Sequence, residues 1–229
     1  MIVRPEPGAS TTAAAARKLG LETILLPLFA IEPVAWTAPD PGQFDALLLT
    51  SANAVRFAGD RLETLRALPA YCVGEATAAE ARGAGLSVEA VGPGRVDRLL
   101  ESLPHELRLL HLCGFHRKEP KSPAQAIHFI PVYEAVELPV ADGLGRIEGS
   151  AVAIHSPRAG ARLSELVKGQ QLNRKTILLT AISRDAAESA GPGWGTVEAA
   201  ADPCDSALLA IAARLCNNSG GWSRQDEAQ

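Results

Sequence analysis

A near-repetition constrains this chain more than any other feature. Thr50-Ser51-Ala52-Asn53-Ala54-Val55 follows the apolar run Ala46-Leu49, and His155-Ser156-Pro157-Arg158-Ala159-Gly160 follows Ala151-Ile154. Val73-Gly74-Glu75-Ala76-Thr77-Ala78-Ala79 is echoed by Ala181-Ile182-Ser183-Arg184-Asp185-Ala186-Ala187, and Asp97-Arg98-Leu99-Leu100 by Asp205-Ser206-Ala207-Leu208-Leu209. The spacings agree: Ser51 to Thr77 is 26 positions and Ser156 to Ser183 is 27, with 20 and 22 more to Asp97 and Asp205. Small hydroxylated residues recur where an apolar run ends. The pattern predicts two similar α/β lobes with a cleft between them, a suitable place for one large ligand.

The lobes must be built largely without aromatics, which make up 4% of a chain that is 47% hydrophobic. Ala, Leu and Val then fill the cores, which suits helices packed closely on parallel sheets. A net charge of −4 gives no general attraction for polyanions, and no nucleic-acid or membrane partner is expected. An acidic ligand must be met by local arginines and backbone N–H groups. The four cysteines, Cys72, Cys113, Cys204 and Cys216, have no metal-ligand spacing. Cys72 and Cys113 fall in strand-like runs and read as buried thiols. A strand begins at Ile2-Val3 and no apolar run reaches spanning length, so the expected location is cytoplasmic.

Short apolar runs alternate with Ala-rich helical stretches along the chain. Strands are expected at 2–3, 23–26, 46–49, 71–73, 88–91 and 107–112. Helices are expected from Ser10 to Leu19, 54–68, 75–82 and, capped by Asp97, 97–103. Pro27-Val34 and Pro131-Leu138 are both extended and proline-bounded, and pair in this reading as a two-stranded ribbon. The chain would start in lobe one, cross to lobe two and return. Lobe one is then 1–27 with 138–217, lobe two is 36–128, the ribbon is 28–35 with 129–137, and 218–229 is a disordered tail. The Gly-rich stretch Gly191-Gly195 lacks a phosphate-loop lysine and reads as a connecting loop.

With these residues in order, the chain resembles the uroporphyrinogen-III synthase family. The resemblance rests on Thr50-Ser51-Ala52-Asn53-Ala54, Val73-Gly74-Glu75-Ala76-Thr77-Ala78, Leu112-Cys113-Gly114 with Arg117, Val132-Tyr133, Ser156-Pro157 and Arg4-Pro5. It runs from Ile2 to about Leu215. It implies two flavodoxin-like α/β lobes joined by a β-ribbon. It also implies a cofactor- and metal-free reaction: hydroxymethylbilane, a linear tetrapyrrole, closes with loss of water and inversion of ring D. In the course the resemblance implies, loss of the hydroxyl leaves an azafulvene at ring A. Ring D attacks it through its substituted carbon, and the resulting spiro intermediate fragments and recloses the other way round.

Such a reaction is mainly a matter of holding one conformation, so few acid–base side chains are required. The substrate bears carboxylates on every ring, and strand-to-helix turns offer N–H groups and hydroxyls that suit them. On the resemblance, the substrate-binding candidates are Thr50, Ser51, Asn53, Ala54, Gly74, Thr77, Ser156, Pro157 and Ser183 at such turns. To these it adds Gly114 and Phe115, with Arg4, Arg117 and Arg158 as carboxylate partners. Helix capping alone would also account for the hydroxyl residues. Tyr133 in the second ribbon is the catalytic candidate, a phenol able to protonate the departing hydroxyl, against a plain packing role. Two departures from the family pattern stand out: Ala181-Ile182 replaces a glycine-containing turn, which would displace Ser183, and 118–125 is short for a helix.

The competing readings are a non-catalytic two-lobed ligand-binding protein and a phosphate- or nucleotide-using α/β enzyme. The first commonly brings a signal peptide or a DNA-binding module, and the second a glycine fingerprint; none is seen. Self-contained lobes lead to the expectation of a monomer. The expected partner is the small tetrapyrrole, with a possible transient hand-over from hydroxymethylbilane synthase.

Overall fold

The structure is a computed structural model that describes residues 1–117, 119–139 and 143–218. The chain divides into two compact units, one of Met1–Ala30 with Glu137–Gln229 and the other of Ile31–Val136. We refer to them as unit one and unit two. It is an α/β fold in which every assigned strand pair of known register is parallel.

In chain order the elements are α1 (Gly8–Lys18), β1 (Phe29–Pro33), β2 (Ala46–Leu49), α2 (Ala52–Phe57), β3 (Ala70–Cys72), α3 (Glu75–Gly83), β4 (Val88–Val91), α4 (Val96–Glu101), β5 (Arg108–Gly114) and β6 (Ala126–Glu137). There follow β7 (Ala151–Ile154), α5 (Pro157–Gly169), β8 (Leu178–Ala181), α6 (Arg184–Ser189), β9 (Thr196–Ala199) and α7 (Asp205–Asn218).

Unit two is built on the order β6-β5-β2-β3-β4, with β1 beside β6 at the sheet's edge. All four residues of β2 are buried, and they alternate between two cores. Leu47 and Leu49 face a cluster with Leu65, Leu110 and Leu112, while Ala46 and Leu48 face Leu99, Leu100 and Leu109. A strand apolar on both sides belongs at the centre of a sheet covered on both faces. The β1–β6 pairing is antiparallel in sense: Val34 N–H donates to Val132 O, and Leu138 N–H to Leu28 O.

In unit one, β7-β8-β9 are continued on the β7 side by single parallel bridges. Ile2 lies between Ala153 and Leu25, and the Ile2 N–H donates to Ile24 O at 2.8 Å. Numbered along the unit, the order is 2-1-3-4-5, the flavodoxin-like arrangement. Unit two reads 5-4-1-2-3, which is the same arrangement circularly permuted.

Several boundaries differ from expectation. The helix expected over 54–68 stops at Phe57, and after Ala58 the chain turns through Gly59, at φ +66°, which opens a 3-10 helix over Gly59–Leu65. Leu62, Leu65 and Leu68 recur every third residue, the period of that tighter helix. α1 starts at Gly8, and Ser10 bonds the Glu6 carboxylate instead of capping. α4 starts at Val96, so Asp97 lies inside it and its carboxylate accepts the Lys121 N–H at 2.9 Å. The 23–26 strand forms only the bridge at Leu25. α7 continues through Asn218, past the expected start of the tail; the remainder, 219–229, lies outside the described residues, as does Lys118. Among the described residues no helix is long and apolar enough to cross a membrane.

Candidate functional site

In open parallel sheets ligands gather at the carboxyl ends of strands, where the strand order reverses. That point lies between β5 and β2 in unit two, and between Ile2 and β7 in unit one.

In unit two, three sequence-predicted residues meet there. Gly114 ends β5 opposite Tyr133 of β6, at a register shift, and Phe115 N–H donates to Tyr133 O at 2.8 Å. The Tyr133 ring fills the space beside Gly114: a Cβ on Gly114 would stand 2.8 Å from its Cζ and 3.0 Å from its hydroxyl. No other residue leaves that space. The Tyr133 ring also neighbours Phe57, at 6.4 Å between centroids. Burial pushes the phenol's pKa up, partly offset by a hydrogen bond with Ser51, so the hydroxyl keeps its proton at neutral pH. Ser51 caps α2 and accepts the Asn53 N–H at 3.2 Å.

The other unit-two candidates are spread around this group. Thr50 Oγ1 lies 2.9 Å from Nε2 of His111. Asn53 Oδ1 accepts from Arg56, and Ala54 is enclosed in the core with its N–H on Ser51 O. Gly74 precedes α3 in extended backbone, and Thr77 is buried within that helix. Phe115 is 56% exposed, edge-on to His116. Arg117 lies over the Phe129 ring at 4.8 Å and pairs with Glu119 at 3.2 Å. The short 119–125 stretch forms no helix; Gln125 anchors it by donating to the carbonyls of Leu100, Leu103 and Pro104.

In unit one, Ser156 caps α5 by accepting the Ala159 N–H at 3.2 Å, with Pro157 in the first turn. Arg158 stacks on Phe29 at 4.7 Å. Ser183 caps α6 through the Ala186 N–H at 3.3 Å. Ser183 itself holds the place that Gly74 holds in unit two. Each directly precedes its helix, and Val73 and Ile182 make equivalent bonds to Leu49 O and Ile154 O. Gly74 has an ordinary extended φ of −160°, and a Cβ there would meet only Gly94 Cα, at 3.9 Å.

Arg4 reaches across Gly8, where a Cβ would stand 2.5 Å from its Nε. Its Nη1 donates to Asp205 at 3.1 Å and to Thr12 at 3.2 Å, and Thr12 in turn donates to Asp205. His155 Nε2 is 3.3 Å from the same carboxylate. Contact with His155, then Thr12 and Arg4, holds the Asp205 carboxyl down at about 2 against the penalty of burial. Asp205, Thr12 and His111 were not among the sequence candidates. Asp205 was visible only as the start of a repeated helix, Thr12 as one polar residue on an Ala-rich one. In the two buried thiols, Cys72 and Cys113, burial pushes the pKa up, to about 11 for Cys72.

Comparison with known proteins gives the family and the shared fold. A family model described as uroporphyrinogen-III synthase HemD matches residues 10–210. The curated uroporphyrinogen-III synthase of Chlorobaculum parvum (strain DSM 263 / NCIMB 8327) is 31% identical over 98 residues, 39% of this chain and 40% of that relative. The matched stretch is thus less than half that relative's length. The crystal structure of uroporphyrinogen-III synthetase from Helicobacter pylori 26695 has a TM-score of 0.59 at 21% identity, covering 85% of this chain and 95% of that one. A mutant uroporphyrinogen III synthase from the extremely thermophilic bacterium Thermus thermophilus has a TM-score of 0.55 at 20% identity, covering 95% and 99%. These structures show the shared fold, and the family match extends over most of the sequence: the chain belongs to the uroporphyrinogen-III synthase HemD family.

Proposed function

We propose that this chain closes hydroxymethylbilane to uroporphyrinogen III, with loss of water and inversion of ring D. One observation carries the reading beyond family membership: a protonated phenol, a capping hydroxyl and a bare backbone meet at the switch point of unit two, as Tyr133, Ser51 and Gly114. In this reading Tyr133 donates its proton to the departing hydroxyl, and Ser51 holds the phenol's direction. Gly114 lets the protein backbone and the Tyr133 ring come close. A phenol kept neutral is suited to giving a hydrogen bond to an oxygen that gains negative charge as its carbon leaves.

The acid arms fall to the turns and arginines. Thr50, Ser51, Asn53, Ser156, Pro157, Arg158 and Ser183 stand at helix starts, where N–H groups and the helix dipole favour anions. Arg117 and Arg4 add charge, Arg4 with its Nη1 oriented by Asp205. Gly74, Phe115 and the backbone beside Ala54 and Thr77 complete the proposed contacts. Because the substrate also closes unaided to the unrearranged isomer, most of the catalytic effect lies in selecting a folded substrate conformation. We further propose two lobes with the boundaries given in the sequence analysis, a cytoplasmic monomer, and a transient hand-over of the substrate from hydroxymethylbilane synthase.

The test is the product. Purified protein given fresh hydroxymethylbilane should yield mainly the type III isomer after oxidation and chromatography. An isomer ratio equal to that of the protein-free control overturns the assignment.

A further inference from the structure

His111 is a buried titratable side chain that the reaction above does not use. It points from β5 to the same sheet face as Leu48 and Thr50, and is 1% exposed. Phe129 lies 5.3 Å from its ring, and Arg117 covers Phe129. Its Nε2 meets Thr50 Oγ1 at 2.9 Å, while its Nδ1 is buried with no hydrogen-bond partner among the described residues. Burial, with the Arg117 charge adding to it, takes its pKa down to about 4, so at neutral pH the ring carries a single N–H.

The two tautomers are not equivalent here. With the proton on Nδ1, a buried N–H would point at nothing and Nε2 would consume the Thr50 hydroxyl hydrogen. With the proton on Nε2, the ring donates to Thr50, and the orphan at Nδ1 is a bare lone pair. Orphaned buried N–H groups are the rarer and costlier kind, and a lone pair is also the better neighbour for the positive charge of Arg117. Thr50 Oγ1 has no second partner among the described residues.

We infer that His111 is a positioning residue which, by donating from Nε2, commits the Thr50 hydroxyl to donate outward, making this turn selective for an anionic oxygen such as a carboxylate arm of the ligand. The identity of that ligand rests on the function proposed above; the tautomer does not.

The tautomer is read directly from 15N–1H correlation spectra of the histidine-labelled protein at neutral pH. An Nε2–H pattern for His111 is expected, and an Nδ1–H pattern overturns the inference whatever the enzyme's activity. Kinetics tests the consequence. Thr50→Val and His111→Leu should each raise KM about tenfold with a smaller change in kcat, the size expected for one hydrogen bond to a charged group. The double variant should be little worse than either, and His111→Gln should recover most of the loss. An unchanged KM in His111→Leu overturns the inference. If His111→Leu does not fold, the same comparison is made with Thr50→Val against Thr50→Ser, where Thr50→Ser should match the parent and equal KM values would overturn it. Uroporphyrin, the stable oxidised polyacid, and its methyl ester serve as binding probes independent of turnover. The parent should prefer the acid, and Thr50→Val should lose most of that preference; an undiminished preference counts against the assignment.

Discussion

At the scale of single residues, the Tyr133–Gly114 contact makes the sharpest demand. Tyr133→Phe keeps the ring that lies beside Gly114 and removes only the proton donor. Turnover is expected to fall about tenfold to a hundredfold, with product affinity changed less than about twofold. Unchanged turnover would reduce Tyr133 to packing. Asp205 supports a prediction about pH. Its carboxyl is held at about 2 against an ordinary 3.8, so its contribution is complete above about pH 4 and is lost as pH falls toward 2. The side chain is 30% exposed, which reduces the effect to about 1–2 kcal/mol. Denaturant unfolding from pH 5 to pH 2 should show the parent losing that much relative to Asp205→Asn; parallel curves would refute it. Tyr133, Ser51 and Gly114 entered as candidates through the family resemblance, carried by Val132-Tyr133, Thr50-Ser51 and Leu112-Cys113-Gly114. Asp205 and Thr12 were not legible in the sequence, because a polar residue on an Ala-rich helix carries no signal of which distant partner it meets.

At the scale of elements, the packing of α5 against α6 depends on a missing side chain. A Cβ on Gly160 would stand 2.6 Å from Ala186 O and 3.1 Å from Ala190 N, both backbone atoms that cannot swing aside. Gly160→Ala is therefore expected to cost about 1–3 kcal/mol. Gly169→Ala, at the open end of the same helix, should be neutral or stabilise by about 0.5 kcal/mol. Thermal unfolding of the two variants checks the contrast. Strand positions were readable from apolar runs, since a central strand buried on both faces has few other compositions. Helix boundaries were less so. The 54–68 stretch has enough apolar residues for one helix, yet Gly59 breaks it, and the following triplet spacing belongs to the tighter form. Correspondence between the copies was also misread: alignment by residue type set Ser183 against Thr77, whereas the helix starts set it against Gly74.

At the scale of the molecule, the repeat visible in the sequence covers only three of the five positions in each unit's parallel order, bridges included. β2, β3 and β4 correspond to β7, β8 and β9, but the remaining pair follows them in unit two and precedes them in unit one. A linear comparison cannot register a permuted half, which is why Ile2 and β5 were not recognised as equivalents. Unit two is one continuous stretch with its own two-sided core. A fragment of residues 31–136 is thus expected to unfold cooperatively by itself, as followed by circular dichroism in urea; a featureless, non-cooperative curve would contradict this.

The permutation also sets an order of events in the cell. Ile2 is translated well before its neighbour β7, and the Met1 nitrogen's acceptor, Ala151 O, lies 150 positions further on. During synthesis unit two can complete itself while this early strand still has an open edge, so the unit begun first is finished last. Nascent chains halted before β7 should therefore expose the strand at Ile2 to chaperones, at a stage when unit two has already folded.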